Sequence, residues 1–321
     1  MYVAAPPAAP ARNRPPDAGR NAARFAVRVD RVAHRVFGAG SPFLPESANP
    51  WLPRYITDLS GLYGVDTEPA FLDGTRNTYA EMACRLLGDL GGTEGDPVDL
   101  VLVAYATPDA DTQQSATSAL CEAAPGDPLP LGVSDQGVVA PFTGMRLAGE
   151  YLRGLGSGAR ALFLVMDQRS LPYRTHLSDE RVVARDVGVA LRLTATDAAA
   201  PDPDGRGPGD QGGTLVEQYT ETAPADISGI LHARLPELLG GERAYRVLAG
   251  PGIDPERDLP PGPETPVIRG ERGAPCTSVW AALAGLADPA GRLPATTRPV
   301  LVEYDRELRS LSICVTEGTP G

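Results

Sequence analysis

One short segment of the sequence has the form of a strand, a tight turn and a helix, which is where many enzymes place a nucleophile. In LPLGVSDQGVVAPFTGMRLAGEYL (residues 129–152), a short apolar run leads into Ser134, Asp135, Gln136 and Gly137, and an amphipathic pattern follows. The start of a helix offers unbonded N–H groups and the positive end of a dipole, which stabilise a thiolate or an oxyanion. The turn holds no cysteine, however. The segment therefore has the pattern of a nucleophile site but lacks the residue that usually acts as the nucleophile.

The charged residues exclude several classes of function. The formal net charge is −12 and the isoelectric point is about 4.8, which disfavours binding to nucleic acids and to anionic membranes. All 29 basic residues are arginine. Without lysine, the chain can have no P-loop lysine, no pyridoxal phosphate anchor and no Schiff-base chemistry.

Cysteines and histidines are few and widely spaced. They are Cys84, Cys121, Cys276, Cys314, His34, His176 and His232. No two cysteines have CxxC spacing, and no two histidines have the helical spacing of a ligand pair. We therefore expect neither a metal site nor a disulfide framework, and mostly buried, inert thiols.

The apolar pattern predicts an α/β fold with two similar halves. Continuous apolar runs at 99–107, 160–168 and 186–196 are typical of buried strands, and helical periodicity occurs between them. A second, shorter series repeats this alternation after residue 213, although the halves share no visible sequence identity. Strands that alternate with helices predict mixed, mainly parallel sheets sandwiched by helices.

Composition sets the expected boundaries of these halves. Residues 1–24 are rich in proline, alanine and arginine, and we expect a disordered N-terminus rather than a signal peptide. The N-terminal half is expected at 25–197, a Pro/Gly/Asp-rich linker at 198–213 and the C-terminal half at 214–321. No apolar run reaches the roughly 20 residues that a membrane span needs, so a cytoplasmic location is expected.

The order of these segments resembles the ketosynthase III branch of the thiolase superfamily. The resemblance is carried by DLVLVAYATPD (99–109), by the LGV strand end with its turn, and by GMRLAGEYLRGLGSGARALFLVMD (144–167). It implies a thiolase-like fold and the transfer or condensation of acyl groups between coenzyme A and acyl carrier protein thioesters. Members of this family dimerise through a strand of the first half, which implies an interface at LPLGVS (129–134).

The resemblance also implies four catalytic features, and this sequence departs from each of them. The acylated cysteine aligns with Gly137 or Val138. The histidine aligns with Ala249 and the asparagine with Ala274. The glycine-rich turn that binds the thioester oxyanion aligns with YDREL (304–308), which has no glycine and carries carboxylates. Four departures at separate positions predict that the scaffold is kept and that the standard reaction is lost.

The candidate substitutes for the missing groups are Ser134, Asp135, Cys276 and His176. Ser134 and Asp135 either supply a nucleophile in the turn or cap the following helix. Cys276 is either a thiol with a pKa lowered by a helix start or a small buried side chain. His176 is either a replacement base or a solvated loop residue.

Four further features have a structural interpretation. The stretch SDERVVARD (178–186) is interpreted as a solvated face. The DREL turn either fills the old pocket through Arg306 and Glu307 or forms a charged surface hairpin. Cys121 is expected to be structural, and His232 to lie on the surface of a helix or to be half-buried.

Three functions remain open after this comparison. The favoured one is a non-catalytic subunit that pairs with an active ketosynthase III in polyketide or fatty-acyl-type secondary metabolism. The second is an acyltransferase with a non-standard site that holds two thioesters in register, and the third is a scaffold that binds acyl thioesters. We expect no resident cofactor, and a coenzyme A or phosphopantetheine thioester as the substrate or ligand. The expected partners are a second ketosynthase III-like subunit (as a hetero- or homodimer) and an acyl carrier protein, whereas the third function is that of a standalone module and predicts no protein partner.

Overall fold

A computed structural model describes most of the chain. The described residues are 19–42, 51–62, 64–68, 71, 74–91, 96–109, 111, 114–174, 181–197, 213–239, 244–260 and 266–317. The strands are β1 (Arg20–Phe25), β2 (Val27–Val36), β3 (Ser41–Pro42), β4 (Thr75–Arg76), β5 (Val98–Tyr105), β6 (Gly126–Val133), β7 (Arg160–Asp167), β8 (Val187–Ala195), β9 (Thr214–Tyr219), β10 (Ala244–Ala249), β11 (Val267–Arg269), β12 (Thr297–Asp305) and β13 (Ser310–Val315). The helices are α1 (Leu52–Leu62), α2 (Tyr79–Asp89), α3 (Ala116–Ala123), α4 (Ala140–Leu155), α5 (Ile227–Leu239), α6 (Pro255–Asp258) and α7 (Ser278–Ala284).

Two mixed sheets repeat the same strand order. The N-terminal sheet runs β6-β5-β7-β8-β2, and the C-terminal sheet runs β11-β10-β12-β13-β9 and then adds β1. In each sheet the first two pairings are parallel and the next two are antiparallel. The prediction of an α/β fold with two pseudo-repeated halves is therefore confirmed, although the sheets are less parallel than the apolar runs indicated.

The two sheets pack against a shared central layer of helices. Helix α4 contacts strands of both sheets, and its buried residues Phe142, Met145, Ala148 and Leu152 recur at helical spacing. The ring of Trp280 on α7 lies 5.6 Å from that of Phe142, within the same apolar cluster. Helices α2 and α3 cover the outer face of the N-terminal sheet, and α5 covers the outer face of the C-terminal sheet. The result is a layered α/β/α/β/α arrangement with the start of α4 deep inside it.

The first described strand corrects the expected domain boundaries. Residues 20–24, which were expected to be disordered, form most of β1, and this strand pairs antiparallel with β9 in the C-terminal sheet. The expectation of disorder through residue 24 is wrong for these residues because their backbone hydrogen bonds are made with a strand almost 200 residues away. Residues 1–18 and most of the expected linker, 198–212, lie outside the described residues. Among the described helices, none has the length and apolar character needed to cross a membrane.

Candidate functional site

The turn between β6 and α4 runs from the protein surface into the interior. After Val133 the chain passes through Ser134 and Asp135, whose φ of +60° is left-handed, and a short 3-10 turn at Gly137–Val139 leads into α4. Gly137 and Val138, which align with the missing cysteine, are both buried. The strand-turn-helix geometry predicted from the sequence is present, and its buried end faces the C-terminal half.

The carboxylate of Asp305 fills the space that a side chain at position 137 would need. Asp305 is the last residue of β12 and is 2% exposed. A Cβ atom added to Gly137 would overlap Oδ2 of Asp305 and lie 3.1 Å from its Cγ. The φ of +52° at Gly137 also disfavours any side chain. A cysteine therefore does not fit at position 137 while Asp305 keeps this position.

Asp305 also takes the N–H group that the helix start presents. The backbone N–H of Val138 donates to Oδ2 of Asp305 at 3.1 Å. Arg181 donates from Nη2 to both carboxylate oxygens, at 2.8 and 2.9 Å, and its Nη1 lies 2.7 Å from Glu307. Because Arg181 is only 6% exposed, the positive charge and the carboxylate neutralise each other inside the protein.

The charged stretch around Arg181 differs from its sequence-based interpretation, and the DREL turn agrees with one of the two that were open. Residues 178–186 were interpreted as a solvated face, but Arg181 and Asp186 are both buried. The DREL turn was expected either to fill the old pocket through Arg306 and Glu307 or to form a charged surface hairpin. It connects β12 and β13 with residues 306–308 exposed, as in the hairpin interpretation, and Asp305 is the residue that enters the interior. Arg306 is exposed, and Glu307, although 43% exposed, reaches back to Arg181.

A second aspartate holds the equivalent position in the other half. Asp167, the last residue of β7, is fully buried and accepts from the N–H groups of Cys276 and Thr277 at 3.1 and 2.8 Å. The hydroxyl of Thr277 donates to the same carboxylate at 2.8 Å. Burial raises the pKa of Asp167 to about 6, and the hydrogen bonds from Thr277 and Cys276 oppose that rise.

An acidic side chain also lies beside the position that aligns with the histidine. Ala249 ends β10 and is buried. A Cβ atom on the next residue, Gly250, would overlap the carboxylate of Glu303, which is 1% exposed. Oε1 of Glu303 accepts from the N–H groups of Gly252 and Tyr304, at 3.2 and 2.9 Å. Neighbouring carboxylates of β12 therefore occupy the space beside both catalytic positions.

The thiol of Cys276 lies at this junction but is poorly suited to act as a nucleophile. Its Sγ donates to the carbonyl of Gly137 at 3.5 Å, and the residue is 1% exposed. Burial raises the pKa of the Cys276 thiol well above its usual range, and the charges of Asp167, Asp305 and Glu303 raise it further. The lowered pKa considered from the sequence is therefore wrong. Nearby Ala274 is buried and brings no side-chain amide to the site.

Ser134 and Asp135 bond to each other rather than to the helix. The hydroxyl of Ser134 donates to Oδ2 of Asp135 at 3.1 Å. Within the described residues, the N-cap of α4 is Val139 without a side-chain cap, so the expected capping by Ser134 or Asp135 is wrong. Asp305 performs a similar task from the other half of the chain, because it accepts the N–H of Val138.

The remaining sequence candidates lie away from this junction or outside the description. His176 lies outside the described residues. His232 is exposed on α5, with Nε2 3.4 Å from the hydroxyl of Ser228, and the thiol of half-buried Cys121 donates to the carbonyl of Pro128 at 3.5 Å. Across the described ranges, no cluster of three or more His, Cys, Asp or Glu residues has an arrangement that could hold a metal ion. Sequence reasoning missed Arg181 as a site residue, and no motif in the sequence marks it.

Comparisons with known proteins find similar structures but no match to a family profile or a curated sequence. No protein-family profile and no curated protein matches the sequence. The 3-oxoacyl-(acyl carrier protein) synthase III FabH of Pseudomonas aeruginosa PAO1 has a TM-score of 0.53 and 13% identity, over 92% of this chain and 100% of that chain. AbyA1, a tetronic acid condensing enzyme, has a TM-score of 0.53 and 15% identity, over 90% of this chain and 99% of that chain.

A third solved structure extends the likeness to an enzyme described as an acyltransferase. ChlB3 has a TM-score of 0.52 and 13% identity, over 92% of this chain and 98% of that chain. Identities this low establish the fold and leave the reaction open. The three matches, together with the strand order repeated in both halves, show that the chain has the thiolase-like fold of the ketosynthase III-type enzymes.

Proposed function

We propose that the chain is a non-catalytic subunit that pairs with a catalytically competent protein of the same fold and shapes that partner's acyl site. The observation that carries this proposal is the position of Asp305, whose carboxylate fills the side-chain space at Gly137 and accepts the N–H of Val138. A nucleophile at a helix start needs both that space and that donor. Here both are already used within the chain.

Electrostatics supports the same proposal. Thioester attack creates an anionic nucleophile and then an oxyanion, which preorganised donors must stabilise. The junction instead holds the carboxylates of Asp167, Glu303 and Asp305 around Cys276, and all three raise the pKa of that thiol. Removing a single oxyanion donor typically costs about 2.7–4 kcal/mol of barrier. Burial and the three carboxylates together outweigh the opposing charge of Arg181, so the pKa of the Cys276 thiol stays well above its usual range.

Acyl transfer by a relocated nucleophile is the second candidate function. One observation favours it, namely that Cys276 lies against the carbonyl of Gly137 at the start of α4. Its burial and its raised pKa count against it. Ser134 is the other candidate, but its hydroxyl donates to the adjacent Asp135 at 3.1 Å, and none of the described histidines bonds to it.

Two measurements test the proposal. The purified chain is incubated with acetyl-CoA and with octanoyl-CoA and weighed intact, and we expect no added acyl mass. The chain is then co-expressed with the cysteine-bearing protein of the same fold that is encoded nearest to it, and that protein's condensing activity is assayed with and without the chain. We expect the chain to raise the activity or to change the preferred acyl length.

Each measurement has an outcome that contradicts the proposal. Acylation that disappears in Cys276→Ala or Ser134→Ala would establish the relocated nucleophile instead. Saturable binding of octanoyl-CoA by the isolated chain, with no effect on any cysteine-bearing protein, would establish a thioester-binding scaffold.

A further inference from the structure

Residues 181–186, which we call the strap, lie between the junction around Cys276 and the solvent. Their sequence is RVVARD, and they lead into β8 without forming a strand or a helix themselves. Arg181 and Asp186 are buried at the two ends, whereas Val182 and Ala184 between them are exposed. The strap therefore has one face towards the interior and one towards solvent.

The inward face of the strap contacts the junction directly. A Cβ atom added to Gly137 would lie 2.9 Å from Nη2 of Arg181, and the carbonyl of Gly137 accepts the thiol of Cys276. Ala184 donates its N–H to the carbonyl of Gly273 at 2.9 Å, three residues before Cys276. The segments that hold Gly137 and Cys276 thus both contact the strap.

Buried charged side chains hold the strap at its two ends. At one end, Nη2 of Arg181 donates to both carboxylate oxygens of Asp305, in the C-terminal half, at 2.8 and 2.9 Å. At the other end, Asp186 accepts from the side chain of Asn77 at 2.8 Å and from the backbone N–H of Arg169 at 2.6 Å, both in the N-terminal half. The strap therefore links the two halves across the junction.

Between these ends the strap has few other attachments. Within the part of the chain that the structure describes, its backbone makes two hydrogen bonds to other backbone groups, from Ala184 to Gly273 and from Phe37 to Asp186. None of its side chains belongs to an apolar cluster of the described core. Segments with few buried apolar contacts and few backbone bonds open at a lower free energy than the whole fold.

We propose that the strap is a gate over the junction around Cys276, and that the contact of Arg181 with Asp305 holds this gate closed. Opening requires the release of this contact and of the Ala184 bond, while Asp186 keeps the other end attached. The guanidinium and the carboxylate become solvated together when the strap opens, so neither charge is left buried alone. The gate controls solvent access within this chain and does not depend on the partner that the proposed function requires.

The thiol of Cys314 supplies the control for measuring the gate. Cys276 and Cys314 are both at most 1% exposed, but Cys314 lies inside β13, between β12 and β9, whereas Cys276 lies behind the strap. The full chain is labelled with iodoacetamide under native conditions, and the labelled cysteines are located by peptide mass. We expect Cys276 to be labelled at least about tenfold faster than Cys314, because local opening is more frequent than global unfolding.

Urea distinguishes local from global opening. The labelling rate of Cys314 should rise with urea as steeply as the equilibrium constant for unfolding. The labelling rate of Cys276 should be nearly independent of urea at low concentration, because opening the strap exposes little new surface. Equal rates and equal urea dependence at the two thiols would overturn the gate.

Two arginines of the strap provide a matched pair of variants. Arg181 is 6% exposed, whereas Arg185 is 38% exposed and its acidic partner 70% exposed. The double substitution Arg181→Met/Asp305→Asn removes the buried contact without leaving a charge alone, so we expect the ratio of the Cys276 rate to the Cys314 rate to rise about tenfold or more. Arg185→Gln should leave this ratio unchanged within about twofold.

A milder variant tests the same anchor without altering a buried group. Glu307 is 43% exposed and lies 2.7 Å from Nη1 of Arg181, so we expect Glu307→Ala to raise the rate ratio about two- to fivefold. An unchanged ratio in both Glu307→Ala and the double variant, or an equal rise in Arg185→Gln, would overturn the role of Arg181. Acylation of Cys276 by acyl-CoA in the unaltered chain would overturn the proposed function and leave the gate in place.

Discussion

In both halves of the molecule a buried aspartate binds the start of a helix, but the groups that compensate the buried carboxylate differ. Strand β7 ends in Asp167, and the equivalent strand of the other half, β12, ends in Asp305. Each aspartate accepts a backbone hydrogen bond from the start of the buried helix of the other half. Asp167 is held by amides and a hydroxyl, whereas Asp305 is also paired with Arg181. A carboxylate can thus stay inside this fold in two ways, by a raised pKa or by a buried cation.

The difference between the two aspartates lies in the groups that compensate each buried carboxylate. The Asp167 position ties two helix-start amides into the core and leaves no charge pair behind. The Asp305 position brings a complete ion pair into the space where a nucleophile would stand. The two aspartates occupy equivalent positions in the two halves. Asp167 only connects structural elements, whereas Asp305 also blocks the space at the candidate site.

The largest expected effect comes from forcing a side chain into the Asp305 position. Gly137→Cys should lower the free energy of unfolding by about 2–5 kcal/mol, since a left-handed residue costs about 1–2 kcal/mol and overpacking about 1–3 kcal/mol. Urea denaturation measures this value. Gly158→Cys is the matched control, because Gly158 also has a positive φ, +88°, but faces open space, so only the backbone cost of about 1–2 kcal/mol is expected.

The double variant Gly137→Cys/Asp305→Gly shows whether the overlap is the cause. It should be more stable than the sum of the two single effects by about 1–3 kcal/mol. Strict additivity would mean that Asp305 does not occupy the space assigned to it.

The next effect concerns the two acidic partners of Arg181. Asp305→Ala should destabilise the protein by about 3 kcal/mol, because it removes the buried carboxylate from a guanidinium that is 6% exposed. Glu307→Ala removes a 43% exposed partner of the same group and should cost about 0.2–1 kcal/mol. Thermal and urea unfolding measure both. Equal costs would contradict the buried position of the Asp305 pair.

The pH dependence of stability should reveal the raised pKa of Asp167. Its folded-state pKa is about 6, above the ordinary value of 3.8, so the folded protein binds a proton more tightly than the unfolded chain. This contribution to stability is fully present below about pH 4 and is lost as the pH rises through 6. Asp167→Asn should therefore flatten the curve of unfolding free energy against pH in that window.

Asp109 supplies the control for this measurement. Burial raises its pKa to about 6 as well, so part of the pH dependence should persist in Asp167→Asn and disappear only when Asp109→Asn is added. Identical slopes in the unaltered protein and in Asp167→Asn would show that Asp167 does not titrate as its burial predicts.

The smallest expected effect is at Ser134. If Ser134 capped α4, Ser134→Ala would cost about 1 kcal/mol. Because the hydroxyl bonds to Asp135 and Asp305 accepts the N–H of Val138, we expect a change within about 0.5 kcal/mol. A loss of 1 kcal/mol or more in urea denaturation would restore the capping interpretation.

The sequence predicts the elements that carry strong local patterns. The runs that became β5, β7 and β8 and the periodicity of α4 are readable because each element buries a continuous or regularly spaced apolar set. Strand β2 was missed although VRVDRVAHRV alternates apolar and polar residues. A bulge between Val29 and Arg31 shifts that alternation, which weakens the signal.

From the sequence, the site could be predicted only as a set of positions whose residues differ from the catalytic residues of the resembled family. Gly137, Ala249 and Ala274 are identified only through the resemblance to the ketosynthase III family, by alignment with that family's motifs. The contacts of Asp305 with Val138 and Arg181 span 167 and 124 residues. Arg181 lies in a charged stretch with no apolar periodicity, so no local rule marks it as buried.

The short connection between β1 and β2 has a consequence for how the chain reaches its native state. A single residue, Ala26, separates a strand of the C-terminal sheet from a strand of the N-terminal sheet. During synthesis β1 leaves the ribosome first, but its partner β9 follows about 190 residues later, which at ordinary translation rates means roughly 10–40 s. The early half must therefore remain soluble with that segment unpaired, and closure of the second sheet is a late, non-local event in folding.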